Sequence, residues 1–282
     1  MNTGGVGAYY ERLGRWNRAA RAIGYGGGHA TLTVHRALAD PRAGGQPTYT
    51  RLHDVIVEAL PSMHRPRVLD AGCGRGGTMV ELATRLDAHC VGLTLSVSQA
   101  QDANAAAARA GVAARVRADV RTYDDPPAGP FDMIVAIESL AHSPCPARSV
   151  AALARVLAPG GCLAIVDDMP EPGCDHAELS AFKSGWAVPV FWRREDYLAA
   201  FERETLEVFA DLDLTAACRP RTRAGLAALR AANRLVRGLM PWSAFRAVMD
   251  SHYGGLELER LLRSGRVRYR LLVARRPVVQ VS

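Results

Sequence analysis

The chain has 282 residues, of which 49% are apolar, enough to bury a large core in one elaborated domain or two small ones. No apolar run approaches the roughly 20 residues of a membrane span. The opening MNTGGVGAYYERLGRW lacks the apolar stretch of a signal peptide, so a cytoplasmic protein is expected.

Residues 1–60 read as a mostly helical cap, broken at Gly24–Gly28. RVLDA (67–71) is an apolar run ending at a glycine cluster, hence a buried strand. Thr78 to Leu86 places Met79, Val80, Leu82, Ala83 and Leu86 on one helical stripe. HCVGLTL (89–95) is the next strand, and Ser98 to Ala110 a helix that stops at Gly111. ARVRAD (114–119) and FDMIVAIES (131–139) are the third and fourth strands. Ala147 to Leu157 is a helix closed by Pro159-Gly160-Gly161, and CLAIVDD (162–168) a fifth strand. Strands separated by single helices predict an α/β fold with a doubly wound, mostly parallel sheet over residues 61–170. Residues 171–265 read as a helical and loop-rich substrate region, and 266–282 as a strand returning to the sheet. The flanks should cover the carboxyl ends of the strands, where such sheets bind ligands.

VLDAGCGRGG (68–77) is the strongest motif. Asp70 ends a strand, and Gly72, Gly74 and Gly76 make a tight turn into a helix whose first N–H groups face the ligand. The charge of Asp70 would repel a pyrophosphate and suit an ammonium. No acid ends the second strand, where dinucleotide enzymes hold the ribose. These residues and those after them resemble the class I S-adenosylmethionine-dependent methyltransferases. LDAGCGRGG is similar to that family's first motif and LAPGGCLAIVDD to its later turn and fifth strand. VGLTLSVSQ (91–99) resembles a narrower group of sterol and isoprenyl diphosphate C-methyltransferases and cyclopropane synthases. The resemblance implies S-adenosylmethionine as cofactor, held at Asp70, Gly72, Gly74 and Glu138. It implies ribose and adenine contacts at Thr94, Leu95 and Gln99, with Asp119 and Val120 at the adenine edge.

The fourth strand ends IESLAHSP (137–144), without the Asn/Asp-Pro-Pro-aromatic motif of nucleic-acid and protein amino-methyltransferases. Glu138 is either a structural carboxylate or a general base; the resemblance to isoprenyl diphosphate methyltransferases favours the base, with His142 as second candidate. Tyr10, Tyr25 and Phe182 are candidate aromatic faces for a carbocation, and Trp186 and Tyr253 candidate substrate contacts. The formal charge of +7 is uneven: residues 214–249 hold seven Arg and no acid. Arg223, Arg230, Arg234 and Arg237 share one helical face, and Arg12, Arg15, Arg18 and Arg21 repeat every three residues, each stripe either a solvated face or an anion site. His35-Arg36 lies in an apolar segment, and a buried Arg needs an anionic partner. Arg36, Arg219 and Arg221 are therefore expected to hold an anionic substrate. Asp167-Asp168 could bind Mg²⁺ with a diphosphate or cap the loop, and no other metal constellation is visible. The six cysteines form no CxxC pair and read as small buried hydrophobes.

Together these features point to C-methylation of a small isoprenyl diphosphate, or else to O-, N- or C-methylation of another natural product. The expected partner is a small, anionic molecule; no nucleic-acid module is recognisable, and homo-oligomerisation is open.

Overall fold

The computed structural model describes residues 32, 35–239 and 243–278. Tyr10, Tyr25 and the four N-terminal arginines lie outside them. Two short strands come first, β1 (Leu38–Ala39) and β2 (Pro47–Thr48), paired antiparallel. This hairpin corrects the expectation of helix up to residue 60. Its turn is built by Asp40, which accepts the Arg42 N–H at 2.9 Å and the Thr48 hydroxyl at 3.2 Å, and by Gly44 and Gly45 at φ +62° and +80°. Helix α1 (Thr50–Glu58) follows.

The central elements alternate: β3 (Arg67–Ala71), α2 (Gly77–Leu86), β4 (His89–Thr94), α3 (Val97–Arg109), β5 (Val116–Val120), β6 (Phe131–Ile137), α4 (Pro146–Arg155) and β7 (Leu157–Pro170). Their strands pair in parallel. The Pro159-Gly160-Gly161 segment, expected as a turn, is the start of β7. The remaining elements are α5 (His176–Trp186), α6 (Arg194–Arg203), β8 (Glu207–Asp213), α7 (Arg223–Leu239), α8 (Ser243–Arg263) and β9 (Val267–Arg275). The sheet order is β5-β4-β3-β6-β7-β9-β8, with β9 antiparallel to both neighbours.

Strand β8 was not expected in a helical region. It is an edge strand whose Val208, Phe209 and Leu212 are exposed, so it lacks the buried face that marks a strand in sequence. Cross-strand ion pairs hold it: Asp211 with Arg270 at 3.3 Å and Asp213 with Arg268 at 3.6 Å.

Core packs on both sheet faces. One side gathers Val68, Met79, Met133, Val166 and Tyr269; the other Leu69, Ile134, Ile165, Tyr197 and Phe201. Burial on both faces explains the nearly unbroken apolar runs of β6 and β7. Four cysteines are buried as expected, but Cys145 is exposed and Cys218 half-buried. Among the described residues no helix is long and apolar enough to cross a membrane.

Candidate active site

The site forms at the carboxyl ends of β3, β4, β5 and β6. Parallel pairing sets Asp70 beside Gly92 and Val135, and Leu93 beside Asp119, so the ends of the motif strands converge. After β3 the chain turns sharply, with Gly72, Gly74 and Gly76 at φ +102°, +51° and +83°. The Gly72 and Cys73 N–H groups donate back to Leu93 O at 3.0 and 2.9 Å, fixing the loop against β4. A side chain at Gly72 is excluded twice, by its φ and by Ser139, whose Cβ would lie 2.3 Å from an added Cβ.

Asp70 is buried, and its Oδ2 finds no hydrogen-bond partner among the described residues. Burial pushes its carboxyl up to about 7. A buried carboxylate left without a donor is costly, and a ligand ammonium would relieve it. At the start of α3 and the end of β5, Val97 and Val120 are exposed at 55% and 53%, apolar surfaces of the kind that can meet a flat base. Thr94 uses its hydroxyl internally, donating to Gln99 Oε1 at 2.6 Å, and Leu95 is half-buried beside it. Asp119 is half-exposed and pairs with Arg117 at 3.3 Å. The orphaned Asp70 oxygen, the glycine turn and the exposed valines fit S-adenosylmethionine.

Glu138 follows β6 in the left-handed region, at φ +50°, a conformation a non-glycine residue holds only where its surroundings enforce it. Those surroundings are explicit. Its Oε1 accepts the Arg36 N–H at 2.9 Å and the Tyr269 hydroxyl at 2.8 Å. Its Oε2 takes no hydrogen bond among the described residues. His142 lies one turn away, buried, and burial lowers its basicity.

The arginines depart from expectation. Arg36 has an anionic partner, but an internal one: its Nη2 donates to both oxygens of Asp168, at 3.1 and 3.3 Å, and its guanidinium lies 5.2 Å from the Tyr269 ring centre. Asp167, the adjacent residue of β7, points to the opposite face and accepts the Tyr197 hydroxyl at 3.0 Å. The two aspartates therefore do not converge on one ion. Among the described residues no cluster of three His, Cys, Asp or Glu could hold a metal. Arg221 pairs with Glu259 at 2.6 Å. Arg219 has no ion-pair partner among the described residues and lies over Gly45. Arg36, Arg219 and Arg221 line a cavity of about 270 Å³ with Cys218 and Leu262. The α7 stripe is not a free anion surface: Arg230 pairs with Glu257, Arg237 with Asp250 at 2.7 Å, and Arg234 donates to the Tyr253 hydroxyl at 2.7 Å.

Phe182 is buried, its ring 5.4 Å from Trp186 and 5.3 Å from Phe191. Trp186 donates from Nε1 to Ser251 O at 2.8 Å. His35 meets His53 of α1, Nε2 to Nε2 at 3.0 Å, and the same His53 nitrogen lies 3.1 Å from Thr78 Oγ1. Sequence reading missed Tyr269, His53 and Thr78. For Tyr269 a signal was present, since Val267, Tyr269, Leu271 and Val273 alternate onto one face of β9.

A family description, "Methyltransferase domain", matches residues 68–161. The 27-O-demethylrifamycin SV methyltransferase of Amycolatopsis mediterranei is 33% identical over 187 residues, 64% of this chain and 68% of that protein. This chain is a class I S-adenosylmethionine-dependent methyltransferase. Two solved structures share the methyltransferase fold. The [4+2]-cyclase SpnF superposes with TM-score 0.74 at 22% identity, covering 97% of this chain and 95% of the other. The geranyl diphosphate C-methyltransferase of Streptomyces coelicolor A3(2), in complex with Mg²⁺, geranyl diphosphate and S-adenosyl-L-homocysteine, superposes with TM-score 0.67 at 20% identity, covering 86% and 91%.

Proposed function

We propose that this methyltransferase modifies a hydroxyl or amine of a small natural product, with Glu138 as the base that takes the acceptor's proton. The observation that carries this reading is the internal neutralisation of Arg36 by Asp168 and of Arg221 by Glu259. A diphosphate would have to compete with both carboxylates for these guanidinium groups. An uncharged acceptor needs no such exchange. The rifamycin relative, named for an O-demethylated compound, supports the same reading. When bound, S-adenosylmethionine supplies an electrophilic methyl group, and Asp70 with the Gly72–Gly76 turn would hold its amino-acid end. The chain's own task is to orient the acceptor and take its proton. Glu138 Oε2 is suited to this because it is the oxygen not already bonded.

A second reading, C-methylation of an isoprenyl diphosphate with Mg²⁺, is favoured by Arg219, which adds an uncompensated cation to the cavity shared with Arg36 and Arg221. The test is transfer from methyl-labelled S-adenosylmethionine to a panel of phenols, macrolactone alcohols, amines and isopentenyl and geranyl diphosphates, with and without Mg²⁺. Label in an uncharged acceptor without Mg²⁺ is expected. Label confined to a diphosphate with Mg²⁺ would reverse the order of the two readings. Glu138→Gln should bind S-adenosylmethionine within a few-fold of wild type and lose turnover by about 10²–10⁴. Near-normal turnover would remove the base.

A further inference from the structure

We infer that Tyr269 is a positioning residue which, together with the Arg36 amide, pins Oε1 of Glu138 and so makes Oε2 the oxygen that meets the acceptor's proton. The inference rests on Glu138 as base and names which of its atoms reacts.

Both hydrogen bonds to the Glu138 carboxylate among the described residues converge on one oxygen, the Tyr269 hydroxyl at 2.8 Å and the Arg36 N–H at 2.9 Å. A carboxylate bound by two donors on one oxygen has negative charge stabilised there, while the other oxygen keeps its lone pairs for a proton. The donors come from opposite ends of the chain, so neither is a local consequence of the β6 turn. Tyr269 is fully buried in β9, its ring packed into the core on one face of the sheet. Its hydroxyl cannot swing to water without breaking that packing. Arg36 closes the arrangement. Its amide meets Glu138, its guanidinium stacks on Tyr269, and its Nη2 is clamped by Asp168 of β7. Glu138, Tyr269, Arg36 and Asp168 thus form one connected network around a residue whose backbone sits at φ +50°. The network explains how that backbone is held. It also gives Asp168 a role that needs no metal: it anchors the arginine whose amide orients the base.

The test uses full-length protein with S-adenosyl-L-homocysteine bound, so it does not depend on knowing the acceptor. Glutamate labelled with ¹³C isolates the carboxylate stretches in infrared difference spectra, and Glu138→Gln assigns those of Glu138. One-sided hydrogen bonding widens the separation of the antisymmetric and symmetric stretches. In Tyr269→Phe that separation should narrow, while S-adenosyl-L-homocysteine affinity by calorimetry stays within twofold. Turnover on the acceptor found by the panel should fall about tenfold with its KM little changed, the loss of one hydrogen bond to a charged group. Should Tyr269→Phe fail to fold, 3-fluorotyrosine at position 269, a stronger donor of nearly the same shape, should widen the separation instead. Unchanged Glu138 stretches in a folded variant would overturn the inference. Wild-type turnover by Glu138→Gln would sink the base reading itself, whatever the infrared result.

Discussion

In the proposed site, Asp70 is the residue on which cofactor binding and stability meet. Its carboxyl is raised to about 7 by burial alone, with no donor on Oδ2 among the described residues. A raised folded-state value means that the folded protein holds this proton more tightly than the unfolded chain. The resulting stabilisation is fully present below about 4, the ordinary carboxylate value, and is lost as pH rises through about 7. Above that pH the cofactor-free protein carries a buried, unpaired charge. Asp70→Asn removes the charge and keeps the shape. The difference in stability between variant and wild type should therefore grow in the variant's favour from pH 4 to 7 and level off above it, by on the order of 3–4 kcal/mol in all. Urea unfolding across that range reads it directly, and a difference independent of pH would refute the assignment. The same variant should lose S-adenosylmethionine binding by calorimetry, because the ammonium loses its counter-charge. Stability and binding thus trade against one another at a single side chain.

At the scale of elements, the segment ahead of β1 ties the helix after the glycine turn to the ends of β6 and β7. His35 reaches through His53 of α1 to Thr78, in the first turn of α2, while Arg36 reaches Glu138 and Asp168. His35 Nδ1 donates to the Arg36 carbonyl at 3.0 Å, and with that ring uncharged its Nε2 accepts from His53 Nε2–H. The contact cannot form with both rings charged, because both Nε2 atoms would then carry a proton. Burial lowers both, and His53 falls to about 3, pushed further by His35 and Arg85. A depressed value gives stability that is present above about 6.5 and lost as pH falls toward 3. Between pH 7.5 and 5, His53 alone should account for a loss of about 2 kcal/mol. His53→Gln should show a correspondingly flatter decline in urea unfolding over that interval; an unchanged slope would mean that the pair does not hold the segment. None of this linkage was legible in TLTVHRAL, because it depends on three elements meeting. What was legible is the need it answers: a buried Arg requires an anion. In the structure Asp168 supplies that anion, and sequence spacing cannot show which carboxylate lies across a sheet. The β3–glycine turn–α2 unit read far better, because a strand, a glycine turn and a helix are contiguous in sequence and their geometry is local. Edge strand β8 and the hairpin at 38–48 were hidden for the opposite reason: they have little buried apolar pattern to announce them.

For the molecule as a whole, the cofactor-binding sheet and the helices after β7 can be perturbed separately. Helices α5 and α8 cross on glycines. An added Cβ at Gly185 would lie 2.3 Å from the Asp250 carbonyl oxygen and 3.3 Å from the Gly254 Cα. Neither neighbour is a flexible side-chain end, so the helices must separate. Their contact carries the Trp186–Ser251 hydrogen bond, which needs the close approach, while the Phe182–Trp186 ring pair lies within α5 itself. Alanine is the better helix former by roughly 1 kcal/mol, but overpacking against backbone costs about 1–3 kcal/mol and the clash wins. Gly185→Ala should therefore destabilise the protein. Gly238→Ala makes the comparison, because it too lies in a helix but an added Cβ there meets nothing within 4 Å. That substitution should stabilise by roughly 0.5 kcal/mol. Hydrogen exchange locates the effect: in Gly185→Ala, amides of α5 and α8 should lose protection while those of β3, β4 and β6 keep theirs. S-adenosylmethionine affinity should stay within twofold, since Asp70 and the glycine turn lie in the sheet half, while turnover falls as α5 carries Phe182 and Trp186 out of place. If Gly185→Ala instead weakens cofactor binding and turnover equally, the two halves unfold and act as one unit, and the acceptor side cannot be tuned apart from the cofactor side.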